Sequence, residues 1–170
     1  NCSKIIECIE SCLSEFGELS DSNYWEGRTL NLHQLGNLEV VNLLKDHGQY
    51  MLKTMQSYLG DSKPMYLDSL HIVRWTAGYS LHPHADAEEA DGRNHPFPWR
   101  DFGTVTFLND NFEGGVLYLP NKDNLEIPAQ PGYTAIHTGG LECLHGVTQI
   151  TSGVRYTLAS FITFDKNQAM

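Results

Sequence analysis

The apolar period of the chain changes near Pro64. Before it, apolar residues recur every three or four positions, the spacing of one helix face. "SKIIECIESCLSEFG" carries Ile5, Ile9, Cys12 or Leu13, and Phe16, with Gly17 as a stop. "NLEVVNLLKDHGQYMLKTMQSYLG" continues through Leu38, Val41, Leu44, Met51, Met55 and Leu59 to Gly60, with Gly48 weakening its middle. After Pro64 come "MYLDSLHIVRW", "GTVTFLN", "GGVLYLP", "GYTAIHT", "HGVTQI" and "VRYTLASFITF". These runs are short, β-branched or aromatic, and cut apart by Gly, Pro and Asn. Helices first and strands later predict an α+β fold whose β part is a sandwich or barrel. A single domain over 1–170 is expected, helical to about 62 and β from about 65 to 165. The one long irregular stretch, 87–102 ("AEEADGRNHPFPWRDF"), has the length of a lid or binding loop.

Charge narrows the partners. The net charge of -10 speaks against nucleic acid, which selects clustered Lys and Arg. No apolar run approaches the ~18 residues of a membrane span, so no membrane association is expected. Four cysteines without a C-x-x-C pair make a zinc–thiolate site unfavourable. Free thiols and a cytoplasmic setting are expected. The start at Asn1 rather than Met is expected of a trimmed chain.

The densest cluster of potential metal ligands is "HPHAD" at 82–86. In an extended segment, residues two apart share a face, so 82, 84 and 86 project together. Pro83 favours extension at His82. His84 and Asp86 are adjacent on that face, and His82 lies a further ~7 Å along it. Ligands of one ion sit within ~2 to 2.3 Å of it, which selects His84 and Asp86.

Two histidines and one carboxylate form the facial set of non-haem Fe(II) oxygenases, with positions left open. The remaining histidine must come from another strand. His95 sits in the irregular stretch; His137 and His145 both fall in strand-like runs. His145 is set apart by Arg155, ten residues on. With Thr151-Ser152-Gly153 read as a hairpin turn, strands 145–150 and 154–164 would pair antiparallel. Arg155 would then lie roughly 13 Å from His145, about half of it spanned by the arginine itself. The remaining gap suits a five-carbon dicarboxylate held by metal and guanidinium, with Thr157 adding a hydroxyl on the same face.

These residues resemble the Fe(II)/2-oxoglutarate oxygenase superfamily, and within it the prolyl 4-hydroxylase-like group. The resemblance rests on His84-Ala85-Asp86, His145-Gly146-Val147 and Arg155-Tyr156-Thr157, with "FLNDNFEGGVLYLP" between them, over about residues 65–164. It implies a double-stranded β-helix, a cupin-like jelly roll backed by N-terminal helices. It implies Fe(II) on His84, Asp86 and His145, 2-oxoglutarate on Arg155 and Thr157, O₂ as oxidant and ascorbate as reductant. The implied substrate is a prolyl residue of a protein or peptide, with a free amino acid or small natural-product precursor as the alternative. A tyrosine that the group often places nine residues before its first metal histidine is Trp75 here, whose indole N–H can also meet a carboxylate. Tyr79, Phe97, Trp99 and Arg100 are the expected substrate-facing residues. Phe107 and Tyr118 are further aromatic candidates at the site. A metal-binding module without turnover and a hydrolase using Glu88 or Glu89 as base are the rival readings.

Overall fold

A computed structural model describes residues 1–19, 24–60 and 63–170. Helix α1 (Cys2–Ser11) buries Ile5, Cys8 and Ile9 and runs into a 3₁₀ turn at Leu13–Phe16. Strand β1 (Thr29–Asn31) and a 3₁₀ turn (Leu32–Leu35) precede α2 (Leu38–Leu59). Asn37 caps α2 by accepting from the backbone N–H of Val40.

The buried face of α2 is Val40, Leu44, Gly48, Met51 and Met55. The expected face is thus correct in its middle and off by one near its start: Val40, not Val41, is fully buried, and Leu38 and Leu59 are exposed. The N-terminal part is also not purely helical, because β1 joins a sheet; the predicted end of that part, at 62, lies outside the described residues.

The strands are β2 (Tyr66–Thr76), β3 (Leu81–His84), β4 (Phe102–Phe107), β5 (Glu113–Gly114), β6 (Leu117–Leu119), β7 (Leu125–Ile127), β8 (Thr134–Thr138), β9 (His145–Val147), β10 (Ile150–Ser152) and β11 (Val154–Thr163). They form a five-stranded sheet β1-β2-β11-β4-β8, a four-stranded sheet β3-β9-β6-β7 and a pair β10-β5, all antiparallel. The expected mix of N-terminal helices and antiparallel sheet is what is found.

Two apolar layers sandwich the large sheet. Leu67, Leu70, Ile72, Leu158 and Ile162 pack with Ile5, Ile9, Leu44 and Met55 of the helices. Val73, Trp75 and Phe107 pack on the other side with Leu117, Val147 and Ile150. Parity along β11 therefore decides which of its side chains face which layer. Tyr156, Leu158 and Ile162 belong to the helical layer. Arg155, Thr157 and Ala159 line the space facing the small sheet.

The expected hairpin at 151–153 does not form. β9 pairs with β3 and β6, β10 with β5, and β11 with β2 and β4. Gly153 (φ 82°) turns the chain from one sheet into the other at a corner where a Cβ would sit 2.9 Å from the Asn111 carbonyl oxygen. Only glycine takes this left-handed turn without strain. Arg155 thus reaches the site across the gap between sheets rather than along one.

Candidate metal centre

His84 and His145 are direct cross-strand partners at the ends of β3 and β9. Their rings lie 4.4 Å apart between centroids. Asp86 follows in the loop after β3, fixed by its backbone N–H donating to the carbonyl of Gly139 at 3.0 Å. The Oδ1 of Asp86 stands 3.7 Å from Nε2 of His84 and 3.8 Å from Nε2 of His145. One donor atom from each of the three residues falls within 4.8 Å of the others. This is the set expected from the sequence. His82 is exposed.

The tautomers are set by the backbone. The Nδ1 of His84 meets the carbonyl of His82 at 3.1 Å, and that of His145 meets the carbonyl of Cys143 at 3.1 Å. A proton on each Nδ1 leaves Nε2 with its lone pair toward Asp86, the form in which imidazole binds a metal. Burial, with His137 and His84 nearby, lowers the pKa of His145 to about 2, so it is neutral and ready to ligate at neutral pH.

Behind this set lies a cavity of about 60 Å³, lined among others by Trp75, Leu117, Val147, Arg155 and Thr157. Arg155 is 2% exposed, and its Nε and one terminal nitrogen (Nη2) have no partner among the described residues. Its other terminal nitrogen donates to Thr157 at 3.5 Å. Burial lowers its pKa to about 10, which leaves it a cation at neutral pH. Among the described residues no carboxylate pairs with it. A buried charge without a counter-ion is costly, so the cavity is built for an anion. Trp75, opposite Arg155 in the β2–β11 register, adds a buried indole N–H that also lacks a partner. The donor set and these orphaned donors fit Fe(II) and a dicarboxylate in adjoining positions.

A second cavity, of about 280 Å³, meets the first at His84 and Asp86. Phe97 and Arg100 line it, with His71, His95 and Phe161. The Arg100 guanidinium lies between the Phe97 and Phe161 rings, at 3.8 and 3.6 Å, and its Nε donates to Asp68. Two of the expected substrate-facing residues line neither cavity. Trp99 donates its indole N–H to Asp68 at 3.3 Å, and Tyr79 packs against the Arg28 guanidinium. The acids of the 87–102 loop do not line this cavity either. Glu88 accepts from the backbone N–H of Leu141, and Asp91 pairs with Arg93. Tyr118 packs at Gly146, and Phe107 lies beside Arg155, its ring 5.4 Å away.

Three features at the site were not assigned from the sequence. Trp25 stacks on Trp75 and lines both cavities, from an irregular segment that gave no pattern to read. His71 shares the cavity-facing parity of Val73 and Trp75, a signal that alternation alone could have supplied. Gly103 faces the metal set: a Cβ there would lie 2.2 Å from Oδ2 of Asp86 and 2.4 Å from the His137 ring. Gly103→Ala is therefore expected to displace Asp86 and weaken metal uptake in a chain that still unfolds cooperatively. Titration with Co(II), read beside thermal melting, checks this; unchanged uptake would show that the site yields at no cost.

Comparison with known proteins places these features in context. No family model matches the chain. Prolyl 3-hydroxylase 1 of Rattus norvegicus is 28% identical over 160 residues, covering 81% of this chain and 22% of that protein. The chain thus spans about a fifth of the length of the curated relatives it matches. A Trichoplax adhaerens prolyl hydroxylase, solved with a hypoxia inducible factor peptide fragment, superposes with TM-score 0.70 at 15% identity, over 98% of this chain and 80% of its own. The viral collagen prolyl hydroxylase of Paramecium Bursaria Chlorella virus-1, solved with 2-oxoglutarate, gives 0.63 at 17% identity, over 97% and 89%. At such identities the solved structures speak for the fold.

Proposed function

We propose that this chain, a prolyl-hydroxylase-like member of the Fe(II)/2-oxoglutarate oxygenase superfamily, carries the catalytic domain of a hydroxylase acting on a prolyl residue of a protein or peptide. The observation that carries the reading is Arg155: a buried cation without a counter-ion among the described residues, in the cavity that the His84–Asp86–His145 set closes. The two facing sheets are then the halves of a double-stranded β-helix, within one domain spanning the chain.

In this reading His84, Asp86 and His145 hold Fe(II), leaving positions open. Iron and 2-oxoglutarate, when bound, use O₂ to place one oxygen atom in a C–H bond and the other in succinate, with release of CO₂. Arg155 and Thr157 take the far carboxylate of 2-oxoglutarate, and the Trp75 indole N–H donates to the same cosubstrate. Leu117 and Val147 keep water from that cavity. The outer cavity, with Phe97, Phe161 and Arg100, receives the prolyl ring beside His84 and Asp86. The names of the relatives favour a peptidyl proline over a free amino acid or small natural-product precursor. A metal-binding module without turnover gives Arg155 no task. A hydrolase would need a base at the metal; Glu88 is committed to Leu141, and neither it nor Glu89 lines either cavity.

Incubation with Fe(II), ascorbate and 2-oxoglutarate tests this. Succinate is expected to form faster with proline-containing peptides than with free proline, and the peptides to gain one oxygen atom. Product analysis reads the ring position, 3 or 4. Absence of succinate with every peptide, from a chain that binds iron, would end the reading.

A further inference from the structure

The two oxygens of Asp86 face different groups. Oδ1 looks at His84 and His145, at 3.7 and 3.8 Å. Oδ2 is buried without a hydrogen-bond partner among the described residues, and 3.8 Å from it lies Nδ1 of His137. A buried, unpaired carboxylate oxygen is rare enough to require an explanation. His137 sits on β8 directly opposite Gly103 of β4. The missing side chain at Gly103 is what lets Asp86 and the imidazole share that space. The ring is buried and packs, tilted by 40°, against His145, centroids 4.0 Å apart. Its Nδ1 donates to the Thr138 carbonyl at 3.0 Å, so this nitrogen carries the proton. The same N–H lies on the side of Oδ2, and a small rotation would share it between the Thr138 carbonyl and that oxygen.

We propose that His137 is a positioning residue of the metal centre: its Nδ1–H, shared between the Thr138 carbonyl and Oδ2 of Asp86 as a three-centre bond, holds Oδ2, so that the carboxylate gives the metal Oδ1 alone. This rests on the reading of His84, Asp86 and His145 as the ligands. A carboxylate held this way occupies one coordination position instead of two. The second stays open for cosubstrate or O₂. Hydrogen bonds from outside the ligand set also orient a ligand and tune its affinity.

The test measures metal binding, not turnover. In His137→Phe the packed ring remains and the donor is lost. In His137→Asn an amide N–H stands close to where Nδ1 is. Each full-length variant, stripped of metal, is titrated with Co(II) under visible absorption. The Phe variant is expected to bind roughly 10–100-fold more weakly than wild type, with an altered spectrum. The Asn variant is expected to return toward wild type in both. A Phe variant that matches wild type in affinity and spectrum overturns the proposal, and so does equal weakening in both variants. Succinate formation by the wild type, measured in parallel, keeps the two readings apart: tight Co(II) binding without turnover ends the proposed function and leaves the role of His137 standing.

Discussion

Arg155→Ala is expected to raise the 2-oxoglutarate concentration needed for half-maximal turnover by two to three orders of magnitude. Removing one side of a buried charge pair costs about 2–5 kcal/mol, and each ~1.4 kcal/mol is tenfold in affinity. The guanidinium is 2% exposed and pairs with no carboxylate among the described residues, so none of these competes with the cosubstrate. Arg155→Lys is expected to lose less, because a point charge still neutralises a carboxylate although the fork is gone. Stability carries a second signature. In the ligand-free chain the alanine variant loses an unpaired buried charge, a change that offsets the packing lost with the side chain. A 2-oxoglutarate concentration that just saturates the wild type raises its melting temperature by mass action and shifts that of the variant far less. An unchanged 2-oxoglutarate requirement would hand the role to another cation. Arg74 is a poor substitute, bound to Glu10, and Arg100 is engaged by Asp68.

Alanine at His84, Asp86 or His145 is expected to abolish iron-dependent turnover and to weaken metal uptake by more than the roughly 10–100-fold of an outer-shell change. Three donor atoms within 4.8 Å leave no redundancy: a lost nitrogen removes a third of the protein's ligands, and a lost carboxylate removes the charge that offsets the dication. His82→Ala is the control. His82 gives the centre only its backbone carbonyl, which orients the His84 ring and survives the substitution. That variant should retain metal and turnover. A dead His82 variant beside an active His84 variant would reverse the choice between the two histidines.

The contrast between those histidines was already present in the sequence, because alternation along a strand is local chemistry. Two residues separate His84 from Asp86, four separate His82 from it, and an ion a few ångströms across accepts the nearer pair. The periodic middle of α2 was legible for the same reason. Its side chains meet one continuous apolar surface at a spacing set by the helix itself. That His145 and Arg155 line one cavity was legible as a combination, since both residue types suit one ligand. The route between them was misread. Gly153 fits a hairpin by its residue type, and nothing within a few residues of it says that β10 and β11 belong to different sheets. Strand partners are chosen by contacts far apart in sequence, such as β11 with β2 over Val154–Thr163. Local pattern carries no record of them. Tertiary structure alone decided which face of β11 meets the cavity, that Trp25 lies over Trp75, that Arg100 is spoken for by Asp68, and that His137 stands against the second oxygen of Asp86. Each is a meeting of side chains from separate elements, and its geometry exists only once the sheets have packed.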